Sequence, residues 1–239
     1  MRNKRPGYDP GTFTSAMSRA EKLAVLLWLP IHVWFLPKLL YSLPQLRQFS
    51  EADMNLMVYA GGAIFMLLAA GRFFRRDFDP LMDHLPFCIL QILLCYGMML
   101  GFNLILNSLL MLLLPDSNPN NAALTDMAVS EYGKTAALAI FLAPLVEEPV
   151  FRGAVFGGLR RRSRILAYLV SMLLFSLYHV WAYALIDPVY LLFLLQYLPV
   201  SYLLCRCYER CNSIWGSVFL HMFINAVSLR VLTTLSEFL

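Results

Sequence analysis

Charge is what this sequence has least of. Asp, Glu, Lys and Arg make up 14% of its 239 residues, where a soluble domain carries about 25%. Hydrophobic residues reach 59%. A soluble globular class is excluded, and an all-α polytopic membrane protein is what remains. Its net charge of +4 does not argue for nucleic acid, because the arginines sit at helix ends. No secretory leader is visible either: the first twenty residues are polar, and the apolar run after them is too long and has no small-residue cleavage site. No internal repeat is visible, which disfavours the transporter architectures built from repeats. Neither His-Glu-x-x-His nor Gly-x-Ser-x-Gly occurs, so neither of those two hydrolase patterns applies. The five cysteines do not form a disulfide framework. Cys205, Cys207 and Cys211 fall at a cytoplasmic helix end, where thiols stay reduced. Their spacing suits a metal or a palmitoyl group, but helix packing is the simpler reading, as it is for Cys88 and Cys95.

What is present is a series of apolar runs. Seven can each cross a bilayer, which takes about 20 residues per helix. They lie near 23–44, 54–71, 85–114, 134–158, 165–186, 189–205 and 213–235. The third exceeds one span and is expected to tilt or protrude. Three regions follow: a cytoplasmic arm over 1–22, N-terminal helices with an outer loop over 23–133, and a core over 134–235. The loop is 115–133, rich in Asn, Asp, Ser and Pro. Basic residues cluster in the arm (Arg2, Lys4, Arg5, Arg19, Lys22), in the loop after the second span (Arg72, Arg75, Arg76), after the fourth (Arg152, Arg160, Arg161, Arg162, Arg164) and after the sixth (Arg206, Arg210). With seven alternating spans all four clusters share one side. The positive-inside rule makes that side cytoplasmic, with the N-terminus inside and the C-terminus outside. The short loops suit a bacterial plasma membrane.

Against that background Glu147 and Glu148 stand out, adjacent and inside the fourth span. An acidic residue at a membrane helix centre costs about 2.5–3.5 kcal/mol on insertion scales, and such residues are functional candidates by default. Glu148 and Arg152 are four apart, share a helix face and can pair. Glu147 points about 100° away and is left free. Pro149 removes a backbone hydrogen bond and is expected to bend the helix. A structural ion pair would explain Glu148 and Arg152, but not Glu147. His179 lies inside the fifth span, and His221 and Asn225 share a face of the seventh. Taken singly, each could be interhelical packing. Together with the glutamates they place polar groups on three helices, roughly 12–21 Å from the helix ends at about 1.5 Å per residue. Asn103, Asn107, Gln91, Gln196, His32 and His84 receive the structural reading.

A carboxylate beside a neutral imidazole can activate water, and a second imidazole with an amide can donate to a developing oxyanion. That set suits amide hydrolysis inside the membrane. The other use of two histidines and a carboxylate is to hold Zn²⁺ with a site left for water, through Glu147, His179 and His221.

At these residues the chain resembles a family. Glu-Glu-x-x-x-Arg at 147–152, Phe-x-x-x-His at 175–179 and His-x-x-x-Asn at 221–225 are similar to the three signatures of the CPBP intramembrane proteases. These comprise the CAAX prenyl endopeptidases and the bacterial bacteriocin-processing and immunity (Abi-type) relatives. The resemblance covers about 134–235. It implies that Glu147 activates water with His179, that Glu148 is held by Arg152, and that His221 and Asn225 form the oxyanion hole. It also implies an endopeptidase acting on a membrane-anchored, lipidated or C-terminal hydrophobic segment near the cytoplasmic half of the bilayer. Its partners are then a membrane-embedded peptide or protein and the lipid bilayer, without nucleic acid. The family has been described both as metal-dependent and as glutamate-dependent. The metal-free reading is preferred here because Asn225 is a better oxyanion donor than ligand. A non-catalytic immunity or scaffold protein and a proton-coupled transporter are the rival readings. The prenyl endopeptidases are similar to an eight-helix bundle, one more than the spans counted here, so substrate access does not carry over.

Overall fold

Residues 12–114 and 118–236 are described by a computed structural model, and they are helical, mostly α with short π and 3-10 segments, apart from short connections. Eight helices follow one another. They are α1 (Arg19–Ser42), α2 (Glu51–Ala69), α3 (Gly71–Asp83), α4 (Leu85–Leu113), α5 (residues 119–160), α6 (Arg164–Ala184), α7 (Pro188–Cys211) and α8 (Ile214–Ser236). Among the described residues, α1, α2, α4, α6, α7 and α8 are long and apolar enough to cross a membrane. The fourth span of the sequence reading is the inner part of α5, whose apolar run is interrupted by Glu147, Glu148 and Arg152. With it the chain is an integral, multi-pass bundle of about seven spans. Leucines, isoleucines and phenylalanines face outward along most helices, as lipid-facing surfaces require, with Leu68, Met111 and Leu112 more than 80% exposed.

Local chemistry sets the helix ends. Ser18 and Ser50 cap α1 and α2, each in a reciprocal capping box, with Glu21 and Asp53. Asn212 ends α7 in the left-handed conformation, φ 50°, which a short polar side chain tolerates. Its Oδ1 accepts from the backbone N–H groups of Thr14 and Ser15 at 2.8 and 3.0 Å. The chain before α1 is thereby tied to the α7–α8 turn. Of the predicted arm, Arg2, Lys4 and Arg5 lie outside the described residues. Residues 12–17 pack into the bundle: Met17 is buried against Gly153, and Phe13 meets Phe156 and Tyr208 edge-on.

Several expectations are corrected. The segment 118–133 is not a loop: α5 starts at Pro119 behind the Asn118 cap. Polar residues dominate there, but Pro at the first helical position is favourable, and the helix breaks only at Glu131 (φ −144°, ψ 62°). Residues 115–117 lie outside the described residues. Arg72, Arg75 and Arg76 are not in a loop either. They are on α3, an amphipathic helix that buries Phe73, Phe74, Asp77 and Leu81 and turns its arginines outward. The sixth span runs on to Cys211, so Arg206 and Arg210 occupy its last two turns. Arg152 is fully buried rather than at the membrane surface. All five cysteines are free and buried, in keeping with packing.

Candidate active site

The backbone departs from the ordinary α-helix at Ile31–Phe35 of α1 and, at greater length, along the inner part of α5. Residues Ala137–Leu142 and Pro149–Phe156 are π-helical, flanking the α-helical turn of Ala143–Glu148. Pro149 has no N–H to give to the preceding turn, and the helix widens after it. Such π segments are frequent at functional sites. The expected bend at Pro149 thus takes the form of a wider helix, and the break in α5 lies further back at Glu131.

This turn carries two carboxylates with different surroundings. Glu148 is fully buried. Its Oε1 forms an ion pair with Arg152 Nη1 at 3.1 Å and accepts a hydrogen bond from His221 Nδ1 at 2.8 Å. Arg152, also fully buried, donates from Nη2 to Ser201 Oγ at 3.1 Å on α7 and lies 4.1 Å from the centre of the Phe175 ring. Its charge is therefore met on α5, α6 and α7 at once. Glu147 makes no such pair. Its Oε2 is buried, has no hydrogen-bond partner, and stands 3.9 Å from Nε2 of both His179 and His221.

The tautomers follow from the partners. His179 Nδ1 is 2.9 Å from the carbonyl of Phe175, and a carbonyl only accepts, so Nδ1 carries a proton. The His221 Nδ1 beside Glu148 is a donor for the same reason. In neutral imidazoles both Nε2 atoms then present lone pairs towards Glu147. Tyr197 stacks on the His179 ring at 4.5 Å between ring centres and holds its plane. Asn225 donates from Nδ2 to the Ala139 carbonyl at 2.7 Å, which fixes its amide at the chamber wall and leaves one N–H and Oδ1 uncommitted by that bond.

Glu147, His179, His221 and Asn225 all line one cavity of about 630 Å³. The structure therefore brings four of the six sequence candidates to one cavity, and sets Glu148 and Arg152 behind them. The division of the glutamates by helical phase is too clean in one respect. His221 touches Glu148 through Nδ1 while its other nitrogen faces Glu147, so one imidazole bridges both carboxylates. Residues missed by the sequence reading also enter. Tyr59 and Tyr178 share a hydrogen bond of 2.9 Å at the cavity wall. Ser201 and Tyr197 position Arg152 and His179. His32, read as structural, lines the same cavity with its ring edge-on to Tyr59 at 4.7 Å. Nothing in the local sequence marks these residues, because their roles come from other helices.

Two imidazole nitrogens and a carboxylate oxygen are good zinc donors. Ligands at about 2.0–2.2 Å around a tetrahedral ion, however, stand roughly 3.3–3.6 Å apart, closer than the 3.9 Å separations here. Among the described residues no trio of His, Cys, Asp or Glu is spaced to hold a metal ion.

Comparison with known proteins points the same way as the signatures. Residues 133–227 match the family model described as Type II CAAX prenyl endopeptidase Rce1-like. All six candidate residues fall inside that match, and the first 132 residues fall outside it. The resemblance to the CAAX proteases holds for this segment, and the match does not single out the bacteriocin-processing and immunity branch. No curated protein and no solved structure matches the chain.

Proposed function

We propose that this chain, with its CAAX-endopeptidase-like segment at 133–227, is an intramembrane endopeptidase in which Glu147 activates water for attack on a peptide carbonyl. The observation that carries the reading is the buried, unpartnered Oε2 of Glu147 with two imidazole Nε2 atoms at 3.9 Å. Three acceptors facing one point suit a water molecule, which has protons to give. Glu147 takes one proton as general base, and His179 orients the nucleophile through Nε2. The new C–O bond forms as the carbonyl becomes an oxyanion. In this reading the uncommitted N–H of Asn225 stabilises that charge. His221 can add a second donor only as an imidazolium, and Glu148 on Nδ1 is positioned to hold that form. The oxyanion then collapses to a carboxyl, the C–N bond breaks, and Glu147 returns its proton to the leaving amine. Arg152 keeps Glu148 charged and in place without touching substrate. Substrates of this reading are membrane-anchored, lipidated or hydrophobic peptide segments.

Purified Glu147→Ala is expected to lose at least about 10²-fold in cleavage rate, the low end for a positioned general base, with its unfolding temperature in detergent unchanged. Cleavage at the wild-type rate would sink the mechanism. Exhaustive chelation with metal analysis separates the chemistries: activity is expected to survive, and a stoichiometric zinc requirement would overturn the metal-free mechanism. Retention of the cellular phenotype in a Glu147→Gln His179→Ala double variant would instead favour a binding or immunity role.

A further inference from the structure

The residues that line the cavity holding Glu147 lie towards one end of the bundle. Each helix that contributes to it does so from the half remote from the arginine clusters. On α2 the lining residues are Glu51, Asn55 and Tyr59, at the start of the helix; on α5 they begin at Asn120; on α8 they run outward from His221 through Asn225 and Ser228. Glu147 and His221 form the floor. The walls above it are rich in carboxamides, Asn55, Asn103, Asn107, Asn120, Asn121 and Gln196, and among the described residues no Lys or Arg lines them. Carboxamides both donate and accept, as peptide groups do.

Below the floor the bundle is closed in two layers. The first is the Glu148–Arg152–Ser201 network with Phe151 and Phe156, all fully or almost fully buried. The second is the chain before α1. Ser15 Oγ donates to Asp77 Oδ2 at 2.6 Å and shares a 2.7 Å hydrogen bond with the Tyr208 hydroxyl. Met17 fills the space over Gly153 so tightly that a Cβ there would stand 2.5 Å from its methyl carbon. The sealed end is also the basic one. Arg19 and Lys22 begin α1, Arg72, Arg75 and Arg76 lie on α3, Arg160, Arg161, Arg162 and Arg164 join α5 to α6, and Arg206 and Arg210 end α7. The open end carries Glu51, Asp53, Asp126, Glu131 and Asp187 against Lys38, Arg47, Lys134 and Arg230.

By the positive-inside rule the basic, sealed end is cytoplasmic. We infer that substrate reaches Glu147 from the extracytoplasmic face, as a peptide segment received by the carboxamide-lined vestibule. This rests on the endopeptidase reading of the site and reverses the side from which the cytoplasmic-half expectation would bring the scissile bond. A free C-terminal carboxylate meets no cation in the vestibule, so the segment it favours is neutral or basic.

The test is the side from which the chamber can be reached. A small, charged, membrane-impermeant methanethiosulfonate is applied to right-side-out and to inverted vesicles carrying Glu147→Cys, Asn121→Cys or Arg162→Cys, with the wild-type chain as background because its five cysteines are buried. Glu147→Cys and Asn121→Cys are expected to label in right-side-out vesicles and to lose labelling in inverted ones, with Arg162→Cys showing the reverse. Labelling of Asn121→Cys only from the cytoplasmic side, or of Glu147→Cys from that side or from neither, overturns the inference. Asn121 lies at the mouth, away from the buried floor, so its result stands even where Glu147→Cys folds poorly. Cleavage plays no part in the readout. A failure of access is thus distinguishable from a failure of the Glu147 mechanism, which the activity of Glu147→Ala decides.

Discussion

Two adjacent residues of one type do opposite work here because their neighbours differ. Glu148 is the anchor of a buried charge network, and Glu147 faces the chamber. Breaking a buried ion pair by removing one partner costs about 3–5 kcal/mol, because the other charge is left uncompensated. Glu148→Ala is therefore expected to lower the detergent unfolding temperature and activity together, while Glu147→Ala lowers activity alone. Equal stability of the two variants would contradict this division. Asp77 makes a second residue-scale prediction at the sealed end. Burial pushes its carboxyl up to about 6, against the hydrogen bonds it accepts from Ser15 and the Ile214 N–H. A carboxyl whose folded pKa is raised gives its full stability while protonated and loses it as pH rises through the folded value. Unfolding temperature is expected to fall as pH rises from about 4, the unfolded value, through about 6. Asp77→Asn, which keeps an acceptor for both donors, is expected to flatten that dependence. A wild-type profile unchanged by the substitution would show that another group is responsible.

Elements matter through how closely they approach. Helix α2 reaches α5 beside the turn that carries Glu147 only because Gly62 has no side chain. A Cβ there would stand 3.0 Å from Val146 and 3.1 Å from the His32 ring. Val146 precedes Glu147, so the strain would be delivered to the site. Gly62→Ala is expected to cost about 1–3 kcal/mol, the usual range for overpacking, and to reduce cleavage. Gly61→Ala, with nothing within 4 Å of the added carbon, is expected to do neither. Unfolding and turnover measured on both variants check this. The same scale shows where the residue pattern could not be read. Long apolar runs located the spans, because membrane helices must satisfy their own backbone groups and face lipid. The polar helix 119–136 and the amphipathic α3 have no such run. They fold as helices because they pack against the ends of the spans, and hydropathy does not register that.

Across the whole molecule, the first 132 residues, outside the family match, supply Tyr59 and His32 to the chamber and Phe13, Ser15 and Met17 to its seal. Removing residues 1–17 is expected to lower the unfolding temperature and to let the impermeant thiol reagent reach Glu147→Cys from the arginine-rich face. Labelling unchanged by the truncation would mean that the α5–α7 network closes that end alone.

The sequence by itself determined that this is a membrane protein, where its spans lie, and which six residues are costly enough in lipid to demand an explanation, because hydropathy, charge cost and helical spacing are properties of the chain. Only the tertiary structure decided that His221 serves both glutamates, that Tyr59, Tyr197 and Ser201 hold the site, and that the chamber opens away from the arginines. Those facts depend on distances between helices, which no spacing along the chain records.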